Sequence, residues 1–343
     1  MQRHSPHSTK YFIDIPFNYV LLVGMSLFFW IAGYSESAGY PVYSGVSSTP
    51  LWATVCRMLP NKAVTYLIGV LLLAGGAFLI YRANYMLIII REKTYMPFLF
   101  YLIFISSNTD FFPLNSASLG VFCLILAFYQ ILTTYHNTNV IPQIYNSALL
   151  IGAGSLLWVH ILWFVPVFWY GMYSFKSMTL RTFLAFLTGL ATVYWFLLGW
   201  CVWTEDFSFF SIPFASLLKT GFPAFGLGPV DWLSMGCLLS VGLLAVVNIL
   251  LHEYDDSLRT RQFLFFIILF GIVPFGLSFI YEQQSTEFLE VSCMPLAILI
   301  AHFFTTSKSR WLKWLYYLFM ALFLLLAILR SPWSFLPPDV LGK

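Results

Sequence analysis

Long apolar runs alternate with short polar stretches along the whole chain. A membrane-spanning helix needs about 20 mostly apolar residues, because unpaired backbone groups are costly in hydrocarbon. Runs that reach or approach this length predict about eleven spans, within a range of nine to thirteen. They cover residues 17–34, 63–82, 96–107, 117–135, 146–158, 161–175, 182–203, 232–251, 263–281, 288–305 and 312–329. The runs at 96–107, 146–158 and 161–175 are short, which predicts broken or partly re-entrant helices there.

Composition supports the same class. Hydrophobic residues make up 60% of the 343 and charged residues only 9%, whereas a soluble domain carries about 25% charge. We therefore predict an all-α, polytopic transmembrane helix bundle that forms one domain over residues 1–343, with the lipid bilayer as its main partner. A net charge of +3 is too small to indicate nucleic-acid binding. The five cysteines form no CxxC or Cys/His cluster, which predicts core thiols rather than metal ligands or disulfides.

The distribution of basic residues predicts the orientation. Lysine and arginine collect on the cytoplasmic side of membrane proteins. With the N-terminus in the cytoplasm, 12 of the 17 basic residues fall in cytoplasmic segments. This predicts a multi-pass protein of the inner (plasma) membrane with an extracytoplasmic C-terminus. The outer loops are then residues 35–61, 108–116 and 204–231, and nine of the 14 acids fall in extracytoplasmic segments.

Two acids in these outer loops are candidates for chemistry. Glu36 follows the first span in YSESAGY, and Asp110 lies between two short spans in SSNTDFFPLNSAS. A carboxylate that is partly shielded from water can act as a general base or hold a divalent metal. The alternative for each is an ordinary solvated loop acid.

The first outer loop also predicts a short interfacial helix. Ser48 or Thr49 would cap it, and Pro50 would occupy its first position. An apolar stripe of Leu51, Val55, Met58 and Leu59 would then lie against the membrane. Its neighbour Arg57 is a candidate to bind a lipid phosphate, and the alternative is a contact with anionic headgroups.

Two further residues are candidate substrate ligands. His160 lies at the predicted turn in LLWVHILWFVP and could bind phosphate or relay a proton. It could equally be an interfacial residue among neighbouring tryptophans. Glu290 starts the tenth run, and an acid inside a span is a functional candidate by default. The alternative for Glu290 is a water-lined groove without catalysis.

The order of these features resembles the GT-C class of integral-membrane glycosyltransferases, which includes protein mannosyltransferase-like enzymes. YSESAGYPVYSG followed by STPLWATVCRMLP is similar to the acidic first loop and interfacial helix of that class. FISSNTDFFPLNSASLG, SALLIGAGSLLWVHILWFVPVFWYG and STEFLEVSCMPLAILIAHF are similar to its later loops and small-residue helices. Glu36 stands alone where many members have an Asp-Glu pair, and the large outer domain of many members is missing.

The resemblance implies a function and a set of roles. A polyprenyl-phosphate-linked sugar would be the donor in cell-envelope glycan or glycoconjugate assembly. Glu36 would be the catalytic base and Asp110 a metal or substrate acid, with His160 and Arg57 near the donor phosphate. The metal is unknown, because only some members use a divalent ion. The alternatives are a non-catalytic inner-membrane subunit, with protein partners in an envelope-assembly or export complex, and a small-solute transporter.

Overall fold

A computed structural model shows an all-helical chain. It describes residues 16–36, 49–59, 61–90, 94–108, 111, 114–137, 139–221, 229–252, 254, 256–306 and 312–330. Within these ranges there is no strand, and one isolated β-bridge joins Gly221 and Tyr281. The helices are α1 (Pro16–Glu36), α2 (Pro50–Met58), α3 (Lys62–Leu87), α4 (Met96–Ser106), α5 (Ser116–Leu132), α6 (Ile141–Leu157), α7 (Val165–Ser174), α8 (Leu180–Thr204), α9 (Ser208–Ser216), α10 (Pro229–Leu251), α11 (Leu258–Ile280), α12 (Ser285–Thr306) and α13 (Leu312–Arg330).

Each predicted apolar run coincides with helix, although several boundaries differ. Helix α3 continues to Leu87, and α6 begins at Ile141, where a proline occupies one of its first positions. The predicted run 161–175 is divided into a 3-10 helix at Val159–Phe164 and the ten-residue α7. Helix α4 has 11 residues, so at about 1.5 Å per residue it spans roughly half of a 30 Å hydrocarbon core.

Among the described residues, five helices are long and apolar enough to cross a membrane, which is compatible with a multi-pass membrane protein. They are Lys62–Leu87, Leu180–Thr204, Trp232–Leu251, Leu258–Ile280 and Ser285–Thr306. Four shorter apolar helices occur among the described residues, at Val20–Ile31, Met96–Ser106, Ser116–Leu132 and Trp314–Leu329. The number of eleven spans remains a prediction.

Helix α12 forms the centre of the bundle, and nearly all of its residues are buried. It packs against α4, α5, α10 and α11. Aromatic stacking supports this packing, because the rings of Phe100 and Phe304 stack at a centroid distance of 5.5 Å. Since lipid is as apolar as these side chains, close packing rather than removal of apolar surface from water holds such helices together.

Side-chain contacts show which helix ends lie together. We call the end of the bundle where α1 stops the Glu36 end. There, Trp30 Nε1 donates a hydrogen bond to Ser106 Oγ (3.0 Å), and Thr49 Oγ1 donates one to the Leu157 carbonyl oxygen (3.1 Å). At the opposite end, the hydroxyl of Thr134 is 3.4 Å from that of Ser177. Successive long helices therefore run between the two ends, as the sequence predicts.

All five cysteines carry free thiols. Four of them, Cys56, Cys201, Cys237 and Cys293, are buried, and Cys123 is half-buried. This agrees with the prediction that they serve as small core residues.

Candidate functional site

Among the described residues, Glu290 is the most deeply buried acid at the Glu36 end. It lies in the second turn of α12, and 1% of its surface is exposed. The side chains of Asn115 and Ser118 lie next to its carboxyl group. Its Oε2 atom has no hydrogen-bond partner among the described residues. A buried acid that is only partly satisfied is costly, so such groups often mark functional or positioning sites.

The start of α5 supplies the neighbours of Glu290. Asn115 caps this helix, and its Oδ1 accepts a bond from the Ser118 backbone N–H at 2.6 Å. The Ser118 hydroxyl also donates to Asn115 Oδ1 at 2.8 Å. A hydroxyl has a single proton, so Ser118 donates to Asn115 and not to Glu290 in this structure. The carboxyl group therefore faces the N-terminal end of α5, where the helix dipole favours negative charge.

Three other helical positions complete the surroundings of Glu290. Tyr101 of α4 and Cys293 of α12 are both buried and close enough to interact electrostatically with its carboxyl group. Glu287 lies three residues earlier on α12 and also interacts with it. The site is thus the meeting point of α4, α5 and α12.

His160 is buried in an aromatic cluster, with 2% of its surface exposed. Its ring contacts those of Tyr281 (4.9 Å between centroids), Phe288 (5.8 Å) and Trp158 (5.9 Å). It also hydrogen-bonds to the backbone of Ser216 in α9, while Nδ1 has no partner among the described residues. This differs from the expected interfacial position, because α9 covers the histidine.

The charge state of His160 follows from this burial. His160 lies in the 3-10 helix, outside the five candidate spans. Desolvation lowers its pKa to about 4, and the bond to Ser216 opposes this shift only in part. The ring is therefore neutral at pH 7 and supplies no positive charge to a phosphate.

Arg57 lies on the predicted short helix, which forms as α2. Thr49 is its N-cap and accepts a bond from the backbone N–H of Trp52, as the sequence predicts. The predicted membrane-facing stripe remains a prediction, and its Met58 is 74% exposed. The face that packs on the bundle contains Trp52 and Cys56 with the half-buried Val55 and Leu59. Their spacing of three and four residues fits one helical face.

The Arg57 side chain points away from the face that packs on the bundle. It is exposed in the last turn of α2, whereas His160 is buried. The two residues therefore do not share a surface, although α2 contacts α9, the helix that covers His160. Arg57 is accessible to solvent or to a headgroup.

The end of α1, where Glu36 lies, meets the end of α4. Near the end of α1, Trp30 bonds to Ser106 at the end of α4, and the Tyr66 hydroxyl donates to the Trp30 carbonyl. Asp110 follows Ser106 by four positions in the chain. Asp110 and the side chain of Glu36 lie outside the described residues, so the expected meeting of the two carboxyl groups remains a prediction.

A narrow groove with a cavity volume of about 20 Å³ lies between α1, α4 and α13. We call it the α1–α4–α13 groove. Most of its lining is apolar, and the hydroxyls of Ser26, Ser106 and Ser107 are its polar groups. Ser106 and Ser107 end α4 immediately before the segment that contains Asp110. The sequence did not reveal this groove, because its walls come from three helices distant in the chain.

Comparisons with known proteins identify no family for this chain, and the described residues show no metal site that would indicate one. No family model, curated protein or solved structure matches the chain. Among the described residues, no three His, Cys, Asp or Glu side chains lie together as a candidate metal site. The GT-C resemblance therefore rests on the sequence features alone.

Proposed function

We propose that this protein is a multi-pass membrane glycosyltransferase of GT-C type that takes a sugar from a polyprenyl-phosphate donor on the extracytoplasmic side. The proposal includes eleven membrane passes with a cytoplasmic N-terminus. The observation that carries it is the α1–α4–α13 groove. It is mainly apolar, and its polar end adjoins both the end of α1, where Glu36 lies, and the chain segment that contains Asp110.

The groove has the chemistry that a lipid-linked donor requires. An isoprenoid tail is apolar and would lie along the mouth of this groove, against the side chains of α1 and α13, because the groove itself holds only about 20 Å³. The Ser106 hydroxyl, which accepts a bond from Trp30 Nε1, can donate its own proton to a phosphate oxygen at the end of that tail, whereas the Ser107 hydroxyl already donates to the Phe104 carbonyl. In the predicted topology this end of the groove faces the outer leaflet.

The reaction then follows from the two acids. Glu36 removes the proton from an acceptor hydroxyl, and the resulting oxygen attacks the anomeric carbon of the donor sugar. The bond between that carbon and the phosphate oxygen breaks, and polyprenyl phosphate leaves with the bonding electrons. Asp110 would hold the substrate or a divalent ion, and the exposed Arg57 would bind phosphate at the same end.

A second candidate is a non-catalytic subunit of an envelope-assembly complex. One observation favours it: aromatic side chains fill the space around His160, a predicted phosphate ligand. A filled and neutral site of this kind suits a structural role better than binding of a charged donor.

Substitution of the two acids separates these candidates. We expect Glu36→Gln and Asp110→Asn each to abolish complementation of a strain that lacks the gene, and to abolish incorporation of tritiated hexose from undecaprenyl phosphate hexose in membranes. Glu205→Gln is the matched control, because Glu205 is an exposed acid at the same end. Full complementation by both acid variants at normal protein levels would overturn the enzyme proposal and support the subunit.

A further inference from the structure

We propose that the surface around Tyr135 binds the phosphate group of an anionic phospholipid. We call it the Tyr135 surface, and its members are Tyr135, His136, Lys176, Arg259 and Phe263. It lies at the end of the bundle opposite the Glu36 end, where the hydroxyls of Thr134 and Ser177 are 3.4 Å apart. The proposal does not rest on the proposed function, because sugar transfer would take place at the other end.

The ring of Tyr135 brings three chain segments together. It contacts the ring of Phe263 on α11 at a centroid distance of 5.2 Å. It also contacts the ring of His136, which follows α5, at 4.6 Å, and that of Phe175, which follows α7, at 6.1 Å. Lys176 is the next residue after Phe175, and both His136 and Lys176 are exposed. Two exposed polar side chains are therefore carried by adjacent helix ends.

Arg259 is held against the same rings. Its Cζ atom lies 5.6 Å from the centroid of Tyr135 and 5.4 Å from that of Phe263. A cation–π contact places the positive charge without engaging the five N–H donors of the guanidinium group in hydrogen bonds. Arg259 is exposed, and no ion pair joins it to another of the described residues. Its donors are therefore available to phosphate oxygens, which can accept two of them at once.

The helix dipole explains two of the basic residues but not the third. His136 and Lys176 follow helix C-termini, where positive charge is favourable. Arg259 is the second residue of α11, where the helix dipole disfavours a positive charge, and the first turn of α11 contains no acid. Asp256, three positions earlier, pairs with His302 instead. An anion beside Arg259 would be attracted by both the guanidinium group and the helix end.

Exposed apolar side chains beside these cations indicate that the anion is a lipid. Tyr173 of α7 is 72% exposed, Leu180 of α8 is 76% exposed and Leu258 of α11 is 69% exposed. They lie within four positions of Lys176 or next to Arg259 in the chain. Acyl chains can pack on these side chains, whereas a soluble phosphate gains nothing from them. In the predicted topology this end faces the cytoplasmic leaflet, which is rich in anionic lipid.

Native mass spectrometry of the full-length protein in detergent measures the binding. Phosphatidylglycerol and phosphatidylcholine with the same acyl chains are titrated separately, and we expect phosphatidylglycerol to bind more tightly. Arg259→Gln should weaken phosphatidylglycerol binding by about tenfold, because hydrogen bonds to a charged group are lost. Lys176→Gln should weaken it by about fivefold, the contribution of one basic residue near anionic headgroups.

Arg261→Gln is the matched control on the same helix. Arg261 lies two positions after Arg259, which is about 200° around the helix, and its Cζ atom lies 5.8 Å from the ring centroid of Tyr254. Binding of phosphatidylglycerol to Arg261→Gln should stay within about twofold of the parent. Equal weakening in both arginine variants would show attraction by the whole basic end and would overturn a defined site.

A soluble competitor separates a lipid from a free phosphate. Glycerol 1-phosphate at millimolar concentration should not displace phosphatidylglycerol, and displacement would overturn the lipid assignment. Equal affinities for the two lipids would overturn the proposal, as would unchanged binding in a folded Arg259→Gln protein. If Arg259→Gln does not fold, unchanged binding in Lys176→Gln decides against the site. The Glu36 and Asp110 variants do not affect this result, so either proposal can fail alone.

Discussion

Gly189 in α8 allows a sharp test of the packing between α6 and α8. A Cβ added at Gly189 would lie 2.6 Å from the Tyr145 carbonyl oxygen and 2.9 Å from Ala148 Cβ. The carbonyl belongs to the backbone of α6 and cannot rotate away. The two helices must therefore separate to accept even a methyl group. Small residues commonly permit such close helix approach in membranes.

The control for this prediction lies ten residues later on the same helix. A Cβ added at Gly199 meets nothing within 4 Å. Both Gly→Ala changes gain up to about 1 kcal/mol of helix propensity, and this gain cancels when the two variants are compared. Overpacking costs about 1–3 kcal/mol. We therefore expect Gly189→Ala to be less stable than Gly199→Ala by about 1–3 kcal/mol.

Thermal unfolding in detergent, followed by tryptophan fluorescence, measures this difference. At about 1–2 °C per kcal/mol for a chain of this length, Gly189→Ala should melt about 1–5 °C below Gly199→Ala. Equal melting temperatures, or a higher value for Gly189→Ala, would refute the close approach of α6 and α8.

Three further predictions concern other parts of the bundle. The pKa of His160 is about 4 in the folded protein and about 6.5 when unfolded. Between these values only the unfolded state binds the proton, so the free energy of unfolding should fall as the pH is lowered from 6.5 to 4. Melting curves of His160→Asn should lack this part of the pH dependence. Asp256 Oδ2 lies 3.2 Å from Nε2 of His302, and both side chains are 3% exposed. Asp256→Asn should therefore lower the free energy of unfolding by about 1–3 kcal/mol. An unchanged melting temperature would contradict the contact. Ala327 lines the α1–α4–α13 groove, while Ala321 of the same helix is exposed. Ala327→Phe should therefore reduce photocrosslinking by a diazirine analogue of undecaprenyl phosphate, and the control Ala321→Phe should not. Equal crosslinking in the two variants would argue against a lipid in the groove.

The helices were predictable because their signal is local. Apolar runs marked all of them except α2 and α9, and Thr49 followed by Pro50 marked the start of α2. The buried face of α2 was harder, because this short helix has apolar residues on more than one side. Trp52 and Cys56 are buried and Met58 is exposed because of packing against α3, α5 and α6, which the sequence of α2 does not contain.

The candidate site depended on contacts between distant segments. The sequence identified Glu290 as an acid within an apolar run, but its neighbours Asn115 and Ser118 lie more than 170 positions earlier in the chain. Tryptophans near His160 suggested a membrane interface. The histidine is buried instead, because α9 and Tyr281 cover it. No local pattern indicates which helix will cover a turn.

The central claim is that Glu36 and Asp110 face one another at the end of the α1–α4–α13 groove. A short bis-maleimide applied to Glu36→Cys/Asp110→Cys tests it, in a chain without native cysteines and with a protease site inserted between the two positions. Thr134→Cys/Ser177→Cys is the positive control, because these hydroxyls are 3.4 Å apart, and Glu36→Cys/Ser177→Cys pairs opposite ends as the negative control. We expect the 36/110 pair to stay joined after proteolysis. Fragments that separate, while the positive control still crosslinks, would contradict the meeting of Glu36 and Asp110.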